Sequence, residues 1–110
     1  MIPEKCYENA LLSKKDIFIE NKGKSGVYRW INKLNNKTYV GSGLDLSKRI
    51  KEYYNQSALK RNPRPIHTAL LKYGYENFKL EILKYCRADE LIKKEQHNGY
   101  TLEYLNFDFN

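Results

Sequence analysis

The stretch between Gly26 and Gly41 constrains the fold of this chain most, because its pattern predicts a β-hairpin. Two runs of β-forming residues, 27–32 and 37–41, flank the pair Asn35-Asn36. Asparagine is one of the few residues that tolerates a positive φ, so this pair suits a tight turn. We therefore expect the two runs to pair as antiparallel strands.

Each predicted strand carries a tyrosine two residues away from a glycine. Tyr28 follows Gly26 and Tyr39 precedes Gly41, so both tyrosines would be held at fixed places on one small sheet. A glycine so close to a strand tyrosine indicates room for another backbone or a ligand to approach. Bulky residues fall on both faces of the hairpin, and we expect the sheet to be covered at least partly on both sides.

After the hairpin, the apolar residues recur at helical spacing. Leu46, Ile50, Tyr53 and Tyr54 predict a first helix, and Asp45 is placed to cap it. Arg49 borders the buried stripe of this helix. Its stem can be buried there while its guanidinium projects back towards the sheet.

The rest of the pattern predicts two more helices and one more strand. Residues 55–64 are expected to form a loop, and a second helix begins at Pro65 and ends at Gly74. Alternation over residues 78–82 predicts a third strand, and a third helix begins at Asp89. These elements predict an α/β fold of the α+β type, with a three-stranded antiparallel sheet flanked by about three helices.

The first 24 residues are expected to be a solvated lead-in. Residues 10–12 could form a helical turn, and residues 17–19 could be extended and pack against the domain. We predict one folded module at residues 25–98, preceded by this lead-in (1–24) and followed by a tail (99–110).

The amino-acid composition indicates which kinds of binding partner suit the chain. The chain has 20 Lys and Arg against 13 Asp and Glu, which favours a nucleic acid or an anionic membrane surface as partner. A basic domain without a polyanionic partner is an equally good interpretation of charge alone. Ten tyrosines suit a site that orients nucleotides, although packing explains most of them.

Other features exclude some classes of protein. Cys6 and Cys86 are far apart and outside any CxxC spacing, which argues against a zinc site and for free thiols. No apolar run approaches the roughly 20 residues of a membrane span, and we expect no membrane partner. The start of the chain has no pattern of a signal or transit peptide, so the protein stays where it is made unless a leader is missing.

Five residues are candidates for chemistry, and each has an ordinary alternative. The tyrosines could be packing residues, the arginine and the histidine could be solvated, and the glutamate could pair with a lysine. Their predicted positions converge on one face of the sheet, which favours a shared site. The candidates are Tyr28, Tyr39, Arg49, His67 and Glu95.

Several motifs occur together in a specific order over residues 26–98. They are Gly26-Val27-Tyr28, then Tyr39-Val40-Gly41-Ser42, Asp45, Lys48-Arg49, His67, the segment 72–78 and Glu95-Gln96. This ordered set resembles the GIY-YIG nucleases, most closely the homing endonucleases encoded within group I introns of fungal mitochondria.

The resemblance implies hydrolysis of DNA phosphodiester bonds with one divalent metal, Mg²⁺ or Mn²⁺. It assigns Glu95 as the metal ligand and Arg49 as the residue that stabilises the phosphate charge. One of Tyr28 and Tyr39, or else His67, would help to deprotonate the attacking water. The same resemblance implies a mitochondrial location.

The chain departs from the family pattern in two places. Tyr53 stands four residues after Arg49, where some members have histidine, and residues 97–99 are expected to end the last helix early. We expect the module to act without the separate DNA-recognition domain that homing enzymes of this class attach, and therefore to bind DNA weakly through its phosphates. The alternative hypothesis is an inactive module that binds nucleic acid, DNA or RNA, within a larger assembly.

Overall fold

One antiparallel sheet organises the protein. The computed structural model describes residues 2–90 of the chain. In this part, the strands are β1 (Lys5–Tyr7), β2 (Gly26–Asn32), β3 (Thr38–Gly43) and β4 (Phe78–Tyr85). Their order across the sheet is β1-β4-β2-β3, and all neighbours are antiparallel. The α+β class is confirmed, whereas the prediction of three strands is wrong because the N-terminal segment adds a fourth.

Four α-helices lie between the strands. They are α1 (Lys14–Glu20), α2 (Leu46–Lys51), α3 (Gln56–Arg61) and α4 (Pro65–Tyr73). Two short 3-10 turns, Glu52–Tyr54 and Tyr75–Asn77, follow α2 and α4. None of the helices within residues 2–90 is both long enough and apolar enough to cross a bilayer.

The central hairpin forms as the sequence predicts. Asn36 has a φ of 62°, the conformation for which asparagine is suited. Its amide donates to the carbonyl of Asn32 over 2.7 Å, which closes the turn. In the β2–β3 register, Tyr28 lies opposite Gly41 and Trp30 opposite Tyr39. Since directly opposed residues share a face of a sheet, both tyrosines belong to the same face.

The N-terminal segment is part of the packed structure and not a solvated lead-in. Strand β1 pairs with β4, and Tyr7 at its end is buried. The hydroxyl of Tyr7 donates to Glu20 over 2.7 Å and accepts from the side-chain amide of Asn21. Tyr85 in β4 donates to the same Asn21 over 2.5 Å. These bonds join α1 to both strands on that side of the sheet.

Residues 17–19 are helical, so the prediction of an extended segment is wrong. Ile17 is fully buried and Ile19 is 64% exposed. In a strand, these two side chains would point to the same side; in a helix, they diverge. Only Ile17 fits the core, and the helix lets the chain bury it without also burying Ile19.

Asparagine and aspartate side chains start two of the helices. Asp45 accepts from the backbone of Lys48 at the start of α2, as predicted. Asn55 accepts from the backbone of Ala58 over 3.2 Å and starts α3, where the sequence predicts a loop. Helix α4 begins at its proline and is followed by Gly74 with a φ of 85°, both as predicted.

The main core lies between the helices and one face of the sheet. Trp30, Tyr28 and Phe78 are its largest fully buried side chains. On the opposite face, Val27 and Leu83 form a smaller buried cluster, so buried residues occur on both faces as expected. The predicted third helix continues beyond residue 90 and therefore lies almost entirely outside the described residues.

Candidate active site

The hydroxyl groups of two tyrosines meet at the centre of the candidate site. Tyr28 Oη and Tyr53 Oη are 2.7 Å apart, and both rings are buried. Strand β2 supplies Tyr28, and the 3-10 turn after α2 supplies Tyr53. Gly41 makes this possible: a Cβ at that position would fall on the ring and hydroxyl of Tyr28. The space beside Gly41 therefore belongs to Tyr28, and the prediction of room there for a ligand or another backbone is wrong. At Gly26 the same prediction is confirmed, because a Cβ there would fall on the backbone carbonyl of Lys84.

Burial controls the charge of Tyr28. Desolvation raises the pKa of this tyrosine well above its ordinary value, and the neighbouring Tyr53 adds to the shift while Arg49 opposes it. Its hydroxyl is therefore neutral near pH 7. A neutral phenol can hold or orient a neighbouring group by hydrogen bonding, but it is a poor acceptor for a proton.

Arg49 lies over the ring of Tyr53. Its guanidinium carbon is 5.4 Å from the centre of that ring, within the range of a cation–π contact. The stem of Arg49 packs beside Gly43 in β3. A Cβ added to Gly43 would lie only 2.9 Å from the Cβ of Arg49. The guanidinium also forms an ion pair with Glu52, with Nη1 and Oε2 2.9 Å apart. The side chain is 31% exposed, so the charged group remains open to solvent.

His67 approaches Tyr53 from the first turn of α4. The two rings are edge to face, with centres 5.6 Å apart. Nδ1 of His67 lies 2.5 Å from the carbonyl oxygen of Asn62. A carbonyl oxygen only accepts hydrogen bonds, so the proton must be on Nδ1. This tautomer leaves the lone pair of Nε2 available.

These side chains line a cavity of about 320 Å³. Its wall combines residues of α2, the following 3-10 turn, α3 and α4, so it exists only in the folded chain. Among the residues that line it, the positive groups outnumber the acids. The lining residues are Arg49, Glu52, Tyr53, Ala58, Leu59, Arg61, Asn62, Arg64 and His67.

The structure brings together three of the five candidate residues. Tyr53 contacts Tyr28, Arg49 and His67, through a hydrogen bond, a cation–π contact and a ring contact respectively. Tyr39 lies on the same face of the sheet as Tyr28 and packs, half-buried, against the main core. Glu95 lies outside the described residues.

Tyr53 is the residue that the sequence prediction left out of its candidates. It occupies the position four residues after Arg49, so one face of the helix carries both, and this spacing is the signal that could have identified it. Asn62 and Glu52 also contact candidate side chains directly. Asn62 acts through its backbone carbonyl, and backbone contacts of this kind have no sequence signature.

The N-terminal segment supports the same turn from the other side. Tyr54, the neighbour of Tyr53, donates to the carbonyl of Ala10 over 2.7 Å and stacks on Tyr75. Ser47 in α2 donates to the carbonyl of Phe18 over 2.9 Å. Helix α2 and the turn after it, which carry Arg49 and Tyr53, are therefore also held by the N-terminal segment.

Metal ligands are sparse in this part of the chain. Within residues 2–90, no group of three or more histidines, cysteines or carboxylates could hold a metal ion. In the described part of the chain, Glu52 supplies the one carboxylate at the cavity, and it pairs with Arg49. Because this carboxylate is already paired with a guanidinium, the donor set fits Mg²⁺ only if a free carboxylate joins it; one such ligand is enough, since Mg²⁺ keeps several of its waters.

Known proteins share both the sequence pattern and the fold. The profile of the GIY-YIG catalytic domain matches residues 24–104. A provisionally assigned intron-encoded endonuclease of Neurospora crassa is 30% identical over 90 residues, covering 80% of this chain and 29% of that protein. A provisionally assigned endonuclease, segB of Enterobacteria phage T4, is 37% identical over 81 residues, covering 72% of this chain and 33% of that protein.

A solved structure agrees with these matches. The catalytic domain of the intron endonuclease I-TevI, in a glutamate-to-alanine mutant form, superimposes with a TM-score of 0.52 at 32% identity. The superposition covers 68% of this chain and 77% of that domain. The chain spans only about a third of the length of the Neurospora and phage proteins.

The fold and these matches together define a catalytic domain of the endonuclease type. The chain belongs to the GIY-YIG family, and the resemblance seen in its motifs is confirmed. It is thus related to intron-encoded and homing endonucleases.

Proposed function

We propose that this chain is the catalytic module of a homing-type endonuclease that hydrolyses DNA phosphodiester bonds with the help of a divalent metal. The observation that supports this most is the position of Tyr53. This one ring contacts the hydroxyl of Tyr28, the guanidinium of Arg49 and the ring of His67, at a cavity with an excess of positive charge. Such a site is suited to an anionic substrate.

Arg49 is proposed to stabilise the phosphate. A phosphodiester already carries a negative charge, and attack by water adds more charge to its oxygens as the reaction proceeds. The guanidinium is fixed on the Tyr53 ring and remains partly exposed, so it can meet those oxygens with little rearrangement. Its planar fork of donors matches the geometry of a phosphate group.

His67 is proposed as the base that deprotonates the attacking water. The Asn62 carbonyl holds its proton on Nδ1, so Nε2 can accept a proton from water. Tyr28 is less suited because burial keeps its hydroxyl neutral. We propose that Tyr28, with Tyr53, instead orients groups at the site through hydrogen bonds, and that Tyr39 lies near its margin.

Glu95 is proposed to hold the metal ion, as the family resemblance implies. One carboxylate with several waters is enough for Mg²⁺, and Mn²⁺ has similar preferences for oxygen ligands. A bound divalent cation would neutralise charge that develops on the phosphate oxygens. Because Glu95 is the proposed ligand, the proposal requires residue 95 to lie at the cavity.

The proposed substrate is DNA. The proposed mitochondrial location rests only on the relation to fungal intron-encoded enzymes. A family member that has lost cleavage would still bind DNA or RNA through its phosphates, because the chain carries a net charge of +7. The distinction between an enzyme and an inactive binding module therefore requires a measurement of cleavage.

The test is to incubate the purified chain with supercoiled plasmid and Mg²⁺, in parallel with a Glu95→Ala variant. We expect nicking by the wild-type protein, loss of nicking in the variant, and loss in the wild type when EDTA removes the metal. Equal nicking by both proteins would reveal a contaminating nuclease. Binding without nicking by the wild type would contradict the enzyme proposal and favour the inactive binding module.

A further inference from the structure

The guanidinium proposed to bind phosphate is already paired in this structure. Arg49 Nη1 lies 2.9 Å from Oε2 of Glu52, three residues later along the chain. The Tyr53 ring supports the guanidinium from one side, and the stem of Arg49 packs beside Gly43. These contacts fix where the positive charge lies, and the Glu52 carboxylate occupies part of the space around it.

Among the described residues that line the cavity, Glu52 is the one acid. The basic lining residues are Arg49, Arg61, Arg64 and His67. A nucleic-acid phosphate that reached Arg49 would therefore come close to one carboxylate of the same charge. The two anions would repel each other, and both would compete for the same guanidinium donors.

Arg49 and Glu52 differ in solvent exposure, and this difference favours replacement of the Glu52 carboxylate by a phosphate. The side chain of Glu52 is 64% exposed and that of Arg49 is 31% exposed. Glu52 can thus rotate into water without uncovering the core, whereas Arg49 is held in place by the ring below it. Ion pairs exposed to this degree contribute little stability, so an arriving phosphate can replace the carboxylate at small cost.

We propose that Glu52 is a stand-in for the phosphate: it holds Arg49 in the free protein and is displaced when a nucleic acid binds. In this role, Glu52 keeps the Arg49 guanidinium in position but lowers the affinity of the site for a nucleic-acid phosphate. The role of Glu52 rests on the proposed function of Arg49. Nothing in the family motif of this chain includes this position.

The test compares DNA affinity among matched charge variants. Binding of a short duplex is measured by fluorescence anisotropy in EDTA, so that no cleavage occurs. Glu52→Gln removes the carboxylate charge at the cavity, and Glu76→Gln removes the same charge from an exposed position outside the cavity lining. We expect Glu52→Gln to tighten binding roughly threefold at low salt, and Glu76→Gln to have a much smaller effect.

A second pair of variants shows whether Arg49 mediates the effect. In an Arg49→Ala background, Glu52→Gln should tighten binding by a smaller factor than in the wild type, since competition for the guanidinium is gone and only the repulsion between the two anions remains. In the plasmid assay with Mg²⁺, kcat/KM for Glu52→Gln should rise in proportion to affinity. A fall in kcat/KM would show instead that Glu52 orients Arg49 for the reaction, and would overturn the stand-in role.

The outcomes separate this inference from the proposed function. If the wild-type chain binds no DNA, the proposed function fails, and the stand-in role fails with it. If the wild type binds DNA but Glu52→Gln and Glu76→Gln behave alike, only the stand-in role is overturned. A threefold difference in DNA affinity between these two variants supports the stand-in role if the difference disappears at high salt, because salt screens exposed charges.

Discussion

Tyr28 and Tyr53 share a hydrogen bond that joins the sheet to the helical layer. Their hydroxyl oxygens are 2.7 Å apart and their rings meet edge to face at 5.8 Å between centres. Both side chains are buried, so each hydroxyl needs the other as its hydrogen-bond partner. The bond therefore couples strand β2 to the turn that carries the candidate site.

This coupling predicts a non-additive effect of mutation. Tyr53→Phe should lower the free energy of unfolding by about 1–3 kcal/mol, because it leaves the Tyr28 hydroxyl buried without its partner. The double variant, with Tyr28→Phe as well, should be less destabilised than the sum of the two single variants. Urea denaturation of all four proteins measures this cycle. Strict additivity would contradict a direct hydrogen bond.

Gly41→Ala should disturb the site through Tyr28. The new methyl group would fall on the Tyr28 ring and hydroxyl, and overpacking of this kind costs about 1–3 kcal/mol. We expect a lower melting temperature together with weaker nicking. Ser42→Ala is the control, since its side chain belongs to the other face of β3 and should change stability by less than about 0.5 kcal/mol. Equal melting temperatures for the two variants would be inconsistent with the tight contact.

High pH should unfold the protein through its buried tyrosines. Burial raises the pKa of Tyr7, Tyr28 and Tyr54 above the ordinary value of about 10. The unfolded chain ionises these groups more easily, so their contribution to stability is complete below about pH 10 and is lost as pH rises towards their folded values.

The alkaline transition can be followed by tyrosinate absorbance and circular dichroism in parallel. We expect some of the ten tyrosines to ionise near pH 10 while the fold persists, and the buried ones to ionise only together with loss of the dichroism signal. A smooth titration of all tyrosines with an unchanged dichroism spectrum would show that these side chains are accessible.

Arg49→Ala should separate catalysis from stability. We expect nicking to fall at least about a hundredfold, by analogy with the removal of one donor to a developing negative charge. The melting temperature should change little, because the guanidinium is partly exposed and its ion pair is weak. Lys48→Ala removes the same charge from an exposed position on the same helix and should retain most of the activity. A large loss of stability in Arg49→Ala would assign this arginine a structural role.

His67→Ala should lose nicking that added imidazole restores. The missing base leaves a gap beside Tyr53, and free imidazole can enter it and accept the proton from water. The measurement is the nicking rate at increasing imidazole concentration, with Arg49→Ala as the control that imidazole should not restore. Full activity of His67→Ala without imidazole would exclude this histidine as the base.

The hairpin and the helices α2 and α4 could be predicted because short-range chemistry determines them. Asn36 at positive φ, the Asp45 cap, and the proline and glycine at the two ends of α4 act within a few residues. The same rules identify Asn55 as a helix cap in retrospect. The prediction of a loop at residues 55–64 leaves this cap out of account.

The N-terminal elements could not be predicted in the same way. Residues 17–19 are three β-formers or aromatics in sequence, and only the core decides that Ile17 alone is buried. Strand β1 is three residues long, and its pairing with β4 depends on residues more than 70 positions away. The role of Tyr53 also depends on distant partners, since Tyr28 and His67 reach it from a strand and another helix.

The hydrogen bond from Tyr54 to the carbonyl of Ala10 determines how far the chain can be shortened at its N-terminus. The family match begins at residue 24, which suggests a natural place to shorten the chain for expression. Such a shortened protein would lack Ala10 and Phe18, and Tyr54 would thereby lose its hydrogen bond to the first and its ring contact with the second. Because Tyr53 and Tyr54 are consecutive, any loosening there would pass directly to the proposed active site, and a truncated enzyme would misrepresent the intact one.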